Sequence, residues 1–312
     1  MKCVTVTLNA SVDTTYVLEQ LCQGDVNRVQ RKLAVAGGKG NNVARVLATL
    51  GHTVIATGYV GGLAGQYIEH GLQAAGIETA FVPISGESRT SLAIIEQTSG
   101  SVTEIREQGS DVSQEDGERF LKVLERLSAN VDAVVLSGSL PPGLPDDFYA
   151  RAIQRLHASS AEVVLDTSGV ALRHGLHQRP SLIKPNASEM SALMGRQASD
   201  EEQAAYAQRL IGSALAAEGA VLLSLGERGA VLVTRAAKIF ASAPRVDVRS
   251  PVGSGDAMIA GYLDARAAGM DIEATLRNAV AAGSAAAMHL TPGTVEPSDL
   301  WKLRESVRVS QW

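Results

Sequence analysis

The sequence predicts an α/β protein: a doubly wound, mostly parallel sheet flanked by helices, with a small β-sheet lid. Three observations carry this prediction. Short, uniformly apolar runs recur along the chain, as strands buried on both faces of a parallel sheet require. Helical patterns lie between them, giving successive β-α units. Two more polar stretches, one of them alternating strictly, break that beat and suit a separate sheet with one wet face.

The elements follow in order. Val4–Leu8 reads as the first strand. Met1–Leu8 lacks the long apolar segment of a secretory leader, so none is expected. Arg28–Val35 is strand-like and more polar, and is assigned to the lid. Val43, Val46, Leu47 and Leu50 stand at i, i+3, i+4 and i+7, one face of a helix. Asn41 or Asn42 can cap its start, and Gly51 sits where it should end. Thr53–Val60 is the next strand. Ser91–Glu96 and Val102–Glu107 alternate around Gln97–Ser101, which contains Gly100, and predict a hairpin. Ser113 with Asp116 resembles a capping box ahead of the apolar stripe Phe120, Val123, Leu124 and Leu127. Ala133–Leu136, Val163–Leu165, Leu182–Ile183 and Ala220–Leu223 are further buried strands, and Ser224–Ala230 is a hairpin turn. The core is thereby expected at 1–8, 36–84 and 110–312, and the lid at 9–35 and 85–109.

Composition narrows the function. A formal net charge of -5 over 312 residues argues against nucleic acid as a partner, so any anionic ligand must be held by local groups. No apolar stretch is long enough to span a bilayer, which argues against a membrane partner and makes the cytoplasm the expected location. The two cysteines, Cys3 and Cys22, have no metal-like spacing and read as reduced thiols.

The strongest chemical signal is Ser250-Pro251-Val252-Gly253-Ser254-Gly255-Asp256, a glycine-rich turn leading into a helix. Such a turn aims several backbone N–H groups at one point, and the helix N-terminus adds a positive dipole end. That is an anion cradle. Asp256 alone would be an ordinary residue of a first helical turn. Beside a phosphate it can also take the proton of an attacking alcohol.

Ala36-Gly37-Gly38-Lys39-Gly40-Asn41-Asn42 brings three glycines and a cation to another helix start. It is no Walker A loop, since Gly40 follows Lys39, and no dinucleotide fingerprint, since Val43 replaces the last glycine. Lys39 is either one cation of a pocket wall or a solvated surface charge. Lys184-Pro185-Asn186-Ala187-Ser188-Glu189 follows a buried strand, where α/β sheets place their ligands. Asn186 and Glu189 are either hard oxygen donors for Mg²⁺ or a helix cap with its third residue. Asp13 and Arg89 suit sugar hydroxyls and a phosphate, or are plain surface charges.

Gly37-Gly38-Lys39-Gly40-x-Asn42, Lys184-Pro185-Asn186-x-x-Glu189, Ser224-Leu225-Gly226 and Gly253-x-Gly255-Asp256, in that order, resemble the PfkB, or ribokinase-like, carbohydrate kinases nearly end to end. The resemblance implies ATP and Mg²⁺, leaves room for a monovalent cation, and implies a small-molecule substrate. It gives Asp256 the role of catalytic base and Gly253, Ser254 and Gly255 that of anion hole. Asn186 and Glu189 would organise Mg²⁺ through water. Lys184, Ser224, Gly226, Gly229, Ala282 and Ser284 would serve the nucleotide. Asp13, Gly38, Asn42 and Arg89 would hold the sugar, and the lid, which in relatives can also pair two subunits, would cover it. The family often has Asp-Thr-x-Gly-Ala-Gly-Asp where this chain has Ser250-Pro251-Val252-Gly253-Ser254-Gly255-Asp256.

Within the family, Leu8–Asp13, Gly24–Val29 and Ser137-Gly138-Ser139-Leu140-Pro141 resemble the branch acting on phosphorylated ketohexoses. Lys39 within its glycine run resembles tagatose-6-phosphate kinase and 1-phosphofructokinase. Ser139 then joins the sugar site, and Lys39, Arg28 and Arg89 are expected to neutralise a phosphate brought by the substrate. The expected reaction is conversion of tagatose 6-phosphate to the 1,6-bisphosphate, with fructose 1-phosphate or fructose 6-phosphate as alternative substrates. A sugar-phosphate sensor that binds without turnover is the rival from another class.

Overall fold

Strand β1 (Lys2–Thr7) lies between β9 and β4 in the parallel part of the large sheet, and its residues show why that sheet needs helices on both sides. Cys3 faces one apolar layer while Val4 and Val6 face the other, and all three are fully buried. The structure is a computed structural model describing Met1–Trp312.

After β1 come β2 (Ser11–Leu18), β3 (Arg31–Gly37), α1 (Lys39–Thr49), β4 (Thr53–Val60), α2 (Gly62–Ala74), β5 (Glu78–Thr79), β6 (Val82–Pro83), β7 (Arg89–Glu96) and β8 (Val102–Arg106). The second half holds α3 (Gln114–Leu127), β9 (Ala133–Ser137), α4 (Phe148–Leu156), β10 (Glu162–Asp166), α5 (Gly169–Leu176), β11 (Leu182–Ile183), α6 (Ala187–Met194) and α7 (Asp200–Leu210). It closes with β12 (Ala220–Ser224), β13 (Gly229–Thr234), β14 (Lys238–Ser242), α8 (Ser254–Ala267), α9 (Ile272–Ala287), α10 (Pro297–Ser306) and β15 (Arg308–Gln311).

The large sheet runs β15-β14-β13-β12-β11-β10-β9-β1-β4-β5, with β6 also on β4. It is parallel from β12 to β5 and antiparallel from β12 to β15. Period-two alternation sorts its side chains. Val135, Val164 and Leu222 face α1, α2, α8, α9 and α10. Val134, Leu136, Leu165 and Leu223 face α3, α4, α5, α6 and α7. Each fully buried aliphatic or Phe side chain here contributes about 1.5–3 kcal/mol. No helix is long and apolar enough to cross a membrane.

The two stretches that break the β-α beat form their own sheet, ordered β3-β2-β7-β8. It is two antiparallel hairpins joined by one parallel contact between β2 and β7. The hairpin turn at Gly100 (φ 69°) is where the sequence places it.

Two local expectations are corrected. The strand expected at Arg28–Val35 starts at Arg31 and runs on to Gly37. Asn27 explains the late start: its side chain bonds Cys22 and Asp25 backbone groups and holds a turn there. Helix α1 begins at Lys39, capped by Gly38 at φ 97°, so Asn41 and Asn42 are buried inside it rather than capping it. Only glycine adopts that φ without strain, which sets the start at Lys39, four residues ahead of Val43, the first residue of the apolar stripe. Ser113 caps α3 as expected, accepting from the Asp116 amide at 3.1 Å.

Candidate active site

The parallel strands end along one side of the molecule, and Thr7, Ser137, Lys184 and Ser224 at those ends line a cleft of about 1430 Å³. The small sheet supplies another wall through Ser11, Asp13, Ser91, Glu104 and Arg106. This is the place where open α/β sheets put their ligands.

The cradle forms as its residue types require. Gly253 caps α8 in the left-handed region at φ 85°. A Cβ there would stand 2.9 Å from Pro292 Cβ, so glycine is needed twice over. The Ser254 amide donates to the Pro251 carbonyl at 3.3 Å, and the first helical bond comes from Ala257. The amides of Gly253, Gly255 and Asp256 have no partner in the chain and remain available to an anion. Gly255 lets Lys184 close in: its Nζ lies 3.1 Å from where a Cβ would be. The Ser254 hydroxyl is shut away from water without a partner.

Asp256 occupies the third position of α8 and is 5% exposed, on the cleft wall. Asn42 Nδ2 donates to its Oδ2 at 2.8 Å. Burial pushes the Asp256 carboxyl up to about 6; Lys39, Asn42 and Lys184 oppose the shift, and Asp166 adds to it. A carboxylate near 6 is matched to proton abstraction at neutral pH.

Between cradle and sheet lies a buried acid that the sequence reading did not single out. Asp166, at the end of β10, is 3.2 Å from Lys39 Nζ and 3.3 Å from Lys184 Nζ. Burial opposes its charge, but the two ammonium groups outweigh it and hold the carboxyl below the usual range. Burial likewise works against the Lys39 charge, and Asp166, Asp256 and Glu189 outweigh it, holding the ammonium above the usual lysine range. Lys39 was expected to meet a phosphate on the sugar. The structure instead turns it toward Asp166, because acidic groups on that side claim it. The sequence signal was there: Asp166 ends an apolar parallel strand at the ligand edge.

At the small-sheet end, Asp13 is half-buried beneath Gly37 and Gly38. Ser11 donates to its Oδ1 at 2.6 Å and the Gly38 amide approaches its Oδ2 at 3.4 Å. Burial raises the Asp13 carboxyl, against Ser11, Gly38, Arg45 and Arg89. Arg89 donates to the carbonyls of Asn9 and Glu107, both at 3.1 Å. Burial lowers its pKa, with Asp13 in opposition. Ser139 accepts from Asn9 Nδ2 at 3.3 Å and lines the cleft. Asp13 pairs in register with Ser91, and Ser91 with Arg106, which brings all three to one face. Arg106 was missed, although the alternation of Val102, Glu104 and Arg106 marks the face that meets the cleft. Arg28 is corrected: it lies exposed beyond the Asn27 turn and does not line the cleft.

At the other end, Asn186 and Glu189 form a complete capping box, with bonds of 2.8 and 2.9 Å. Both line the cleft, and the second Glu189 oxygen stays uncommitted. No group of three or more His, Cys, Asp or Glu side chains is placed to hold a metal ion. One acidic oxygen beside an amide suits Mg²⁺ carried mainly by phosphates and water. Ser224, Gly226 and Gly229 line this end around the β12–β13 turn. Gly229 is held at φ 117°, where a Cβ would meet the Ala241 carbonyl. Ser284 lines the cleft with Val280, Gly283 and Ala287. Ala282 is corrected: it is fully buried against Gly261. Its helical phase explains this, since i, i+3, i+4 and i+7 from Val280 omit position 282.

Residues 6–299 match the pfkB family carbohydrate kinase. Phosphofructokinase-2 from Escherichia coli, solved with substrates and products, is 28% identical, with a TM-score of 0.89 over 98% of this chain and 99% of that one. The same protein has been solved with potassium and in a tetrameric inhibited form. The possible 1-phosphofructokinase of Thermotoga maritima, 24% identical, gives a TM-score of 0.90 over 100% of both chains. Arabidopsis thaliana ribokinase, solved with ribose and ATP, is 22% identical, with a TM-score of 0.74 over 97% of this chain and 98% of that one.

Proposed function

The chain belongs to the pfkB family of carbohydrate kinases, and we propose that it transfers the γ-phosphoryl group of ATP to a hydroxyl of a phosphorylated ketohexose, tagatose 6-phosphate first among them. The observation that carries this reading is Asp256, raised to about 6, beside three unpaired amides at the mouth of α8.

The hydroxyl oxygen attacks the γ phosphorus, the bond to the β-phosphate oxygen breaks, and ADP leaves. Asp256 receives the hydroxyl proton, and Asn42 holds its other side. The amides of Gly253, Gly255 and Asp256 meet the charge on the transferred group. Lys39 and Lys184, held by Asp166, add fixed positive charge there. Asn186 and Glu189 would hold Mg²⁺ through water, where it would neutralise the nucleotide phosphates. Ser224, Gly226, Gly229 and Ser284 serve the nucleotide. Asp13, Gly38 and Ser139 hold the sugar, and Arg89 with Arg106 receives its existing phosphate. The small sheet acts as a lid that excludes water.

Kinship with phosphofructokinase-2 supports fructose phosphates as alternative substrates. The test is kcat/KM for tagatose 6-phosphate, fructose 1-phosphate, fructose 6-phosphate and unphosphorylated ribose. We expect the three phosphorylated sugars to lead. A preference for ribose overturns the substrate class, and saturable sugar-phosphate binding without ADP formation indicates the sensor. Kinship with a protein solved with potassium supports a monovalent-cation requirement, read as kcat in potassium against sodium. Ile105, 55% exposed on the outer lid face, supports a homodimer through the lid, read by sedimentation velocity in solution.

A further inference from the structure

Arg45 stands one turn beyond Asn42 on α1 and is half-buried behind it. Its Nη2 donates to Asn42 Oδ1 at 2.9 Å and to the Pro292 carbonyl. Neither acceptor is a carboxylate, and its Nε is shut away from water with no partner. Burial lowers the guanidinium to about 10, opposed by Asp13, Asp256 and Tyr67. A desolvated cation without an ion pair is a poor source of stability.

What the two contacts fix is more informative. A side-chain amide has one accepting end and one donating end. With Oδ1 taken by Arg45, Asn42 must present Nδ2 to the opposite side, where it meets Asp256 Oδ2 at 2.8 Å. The reverse amide orientation would set a carbonyl oxygen against the carboxylate. The second contact reaches the cradle. A Cβ on Gly293 would lie 2.7 Å from Arg45 Nη2 and 2.8 Å from Asn42 Cα, and Pro292 rests against Gly253.

We infer that Arg45 is a positioning residue: it locks the Asn42 amide so that Asp256 keeps its donor, and through Pro292 it joins that setting to the start of the cradle. The inference rests on Asp256 being the base. The charged groups acting on Asp256 are Lys39 and Arg45 from α1, Asp166 from β10 and Lys184 from the end of β11. Asp13 from β2 and Tyr67 from α2 act on Arg45, and Glu189 from α6 acts on Lys39. Arg45→Met leaves all of the others in place and frees the Asn42 amide.

The experiment is the pH profile of kcat/KM for the wild type, Arg45→Met, Arg45→Lys, Asn42→Ala and the Arg45→Met/Asn42→Ala pair, with the thermal midpoint of each. Arg45→Met should lower kcat roughly 10–100-fold and move the acid limb upward by about half to one pH unit. Asn42→Ala should move it the same way, and the double variant should go further only by the direct pull of the Arg45 charge, because the rest of both effects runs through one contact. Arg45→Lys, keeping the charge with one reachable acceptor, should fall between. If Arg45→Met fails to fold, Arg45→Gln takes its place in the cycle. An acid limb fixed at the wild-type position despite lost rate or stability overturns the inference, as do independent, multiplying effects in the double variant. Asp256→Asn separates the two levels: near-normal turnover there removes the base itself, whereas an inactive Asp256→Asn with an unmoved Arg45→Met limb removes only the role of Arg45.

Discussion

Lys184 and Asp166 form an ion pair at 3.3 Å with almost no access to water, the lysine side chain 6% exposed and the aspartate 0%. Lys39 completes the cluster from the cleft side at 3.2 Å. Removing the shared anion leaves two cations facing each other, one of them, Lys184, almost without access to water. Asp166→Ala should cost about 3–5 kcal/mol, the usual penalty for orphaning a buried partner. Urea denaturation measures it, and a loss within 1 kcal/mol would mean that water or relaxation replaces the carboxylate.

Lys39→Ala should act mainly on kcat, because Asp166 and Asp256 hold its ammonium at the transfer end. Arg89→Ala and Arg106→Ala should instead raise KM for phosphorylated sugars, each by about 10-fold or more for a lost charged contact of 1.5–3 kcal/mol. Steady-state kinetics on the three variants checks the division. The opposite pattern would return Lys39 to the sugar's own phosphate.

Asp256→Asn should lower turnover by about 10²–10⁴-fold and stabilise the protein at the same time. The folded carboxyl lies near 6, above its unfolded value of about 3.9. Unfolding therefore releases a proton between those values, and above pH 6 the native state carries the full penalty, at most roughly 3 kcal/mol. Thermal midpoints should favour Asn at pH 8 and converge near pH 3.5. Equal midpoints at pH 8 would show that the carboxyl is not raised in the free enzyme.

Gly253→Ala should abolish most activity. The new Cβ would stand 2.9 Å from Pro292 and would have to adopt φ 85°. A crystal structure of the variant should show α8 starting differently and the amides near 255 turned from the cleft. Retained turnover would mean that the cradle tolerates a shift of that loop.

Acid should loosen the junction of α1, α8 and α9. Asp264 accepts from Asn278 Nδ2 at 2.9 Å and bonds His52 Nε2 at 2.9 Å. Burial opposes its charge, but His52 and Asn278 outweigh it and hold its carboxyl low. Its contribution is therefore present above the unfolded pKa and lost as pH falls through the lower folded one. Asp264→Asn should lose stability at pH 7 and little at pH 2. A constant difference across that range would assign the effect to packing instead.

The large sheet was legible because its strands are apolar on both faces, so Leu182–Ile183 stood out with only two residues. The cradle was legible because Gly253 meets a steric demand that no other residue satisfies and Gly255 leaves room for Lys184. The cluster around Asp166 was not, since its meaning comes from Lys39 and Lys184, distant in sequence and joined only by the sheet. Asn42 looked like a cap because local pattern cannot show that Gly38 already ends the turn and frees the amide for Asp256. Arg28 and Ala282 fail for geometric reasons, a turn in one case and helical phase in the other.

The small sheet keeps most of its apolar residues apart, with Ala36 and Val12 as its links to the α1–α2 layer. Val17, Leu18, Ile94 and Ile95 are buried, yet they belong to neither of the two large apolar layers. Its hairpins meet through the contact of residues 11–18 with 89–96, which forms only when the chain between them is in place. Such a unit can detach while the rest stays native, so its amides should exchange with deuterium at a lower opening free energy than those of β1 or β9. In the proposed reaction, the part of the molecule that opens for a sugar is thus also the part whose loss the remainder can best survive.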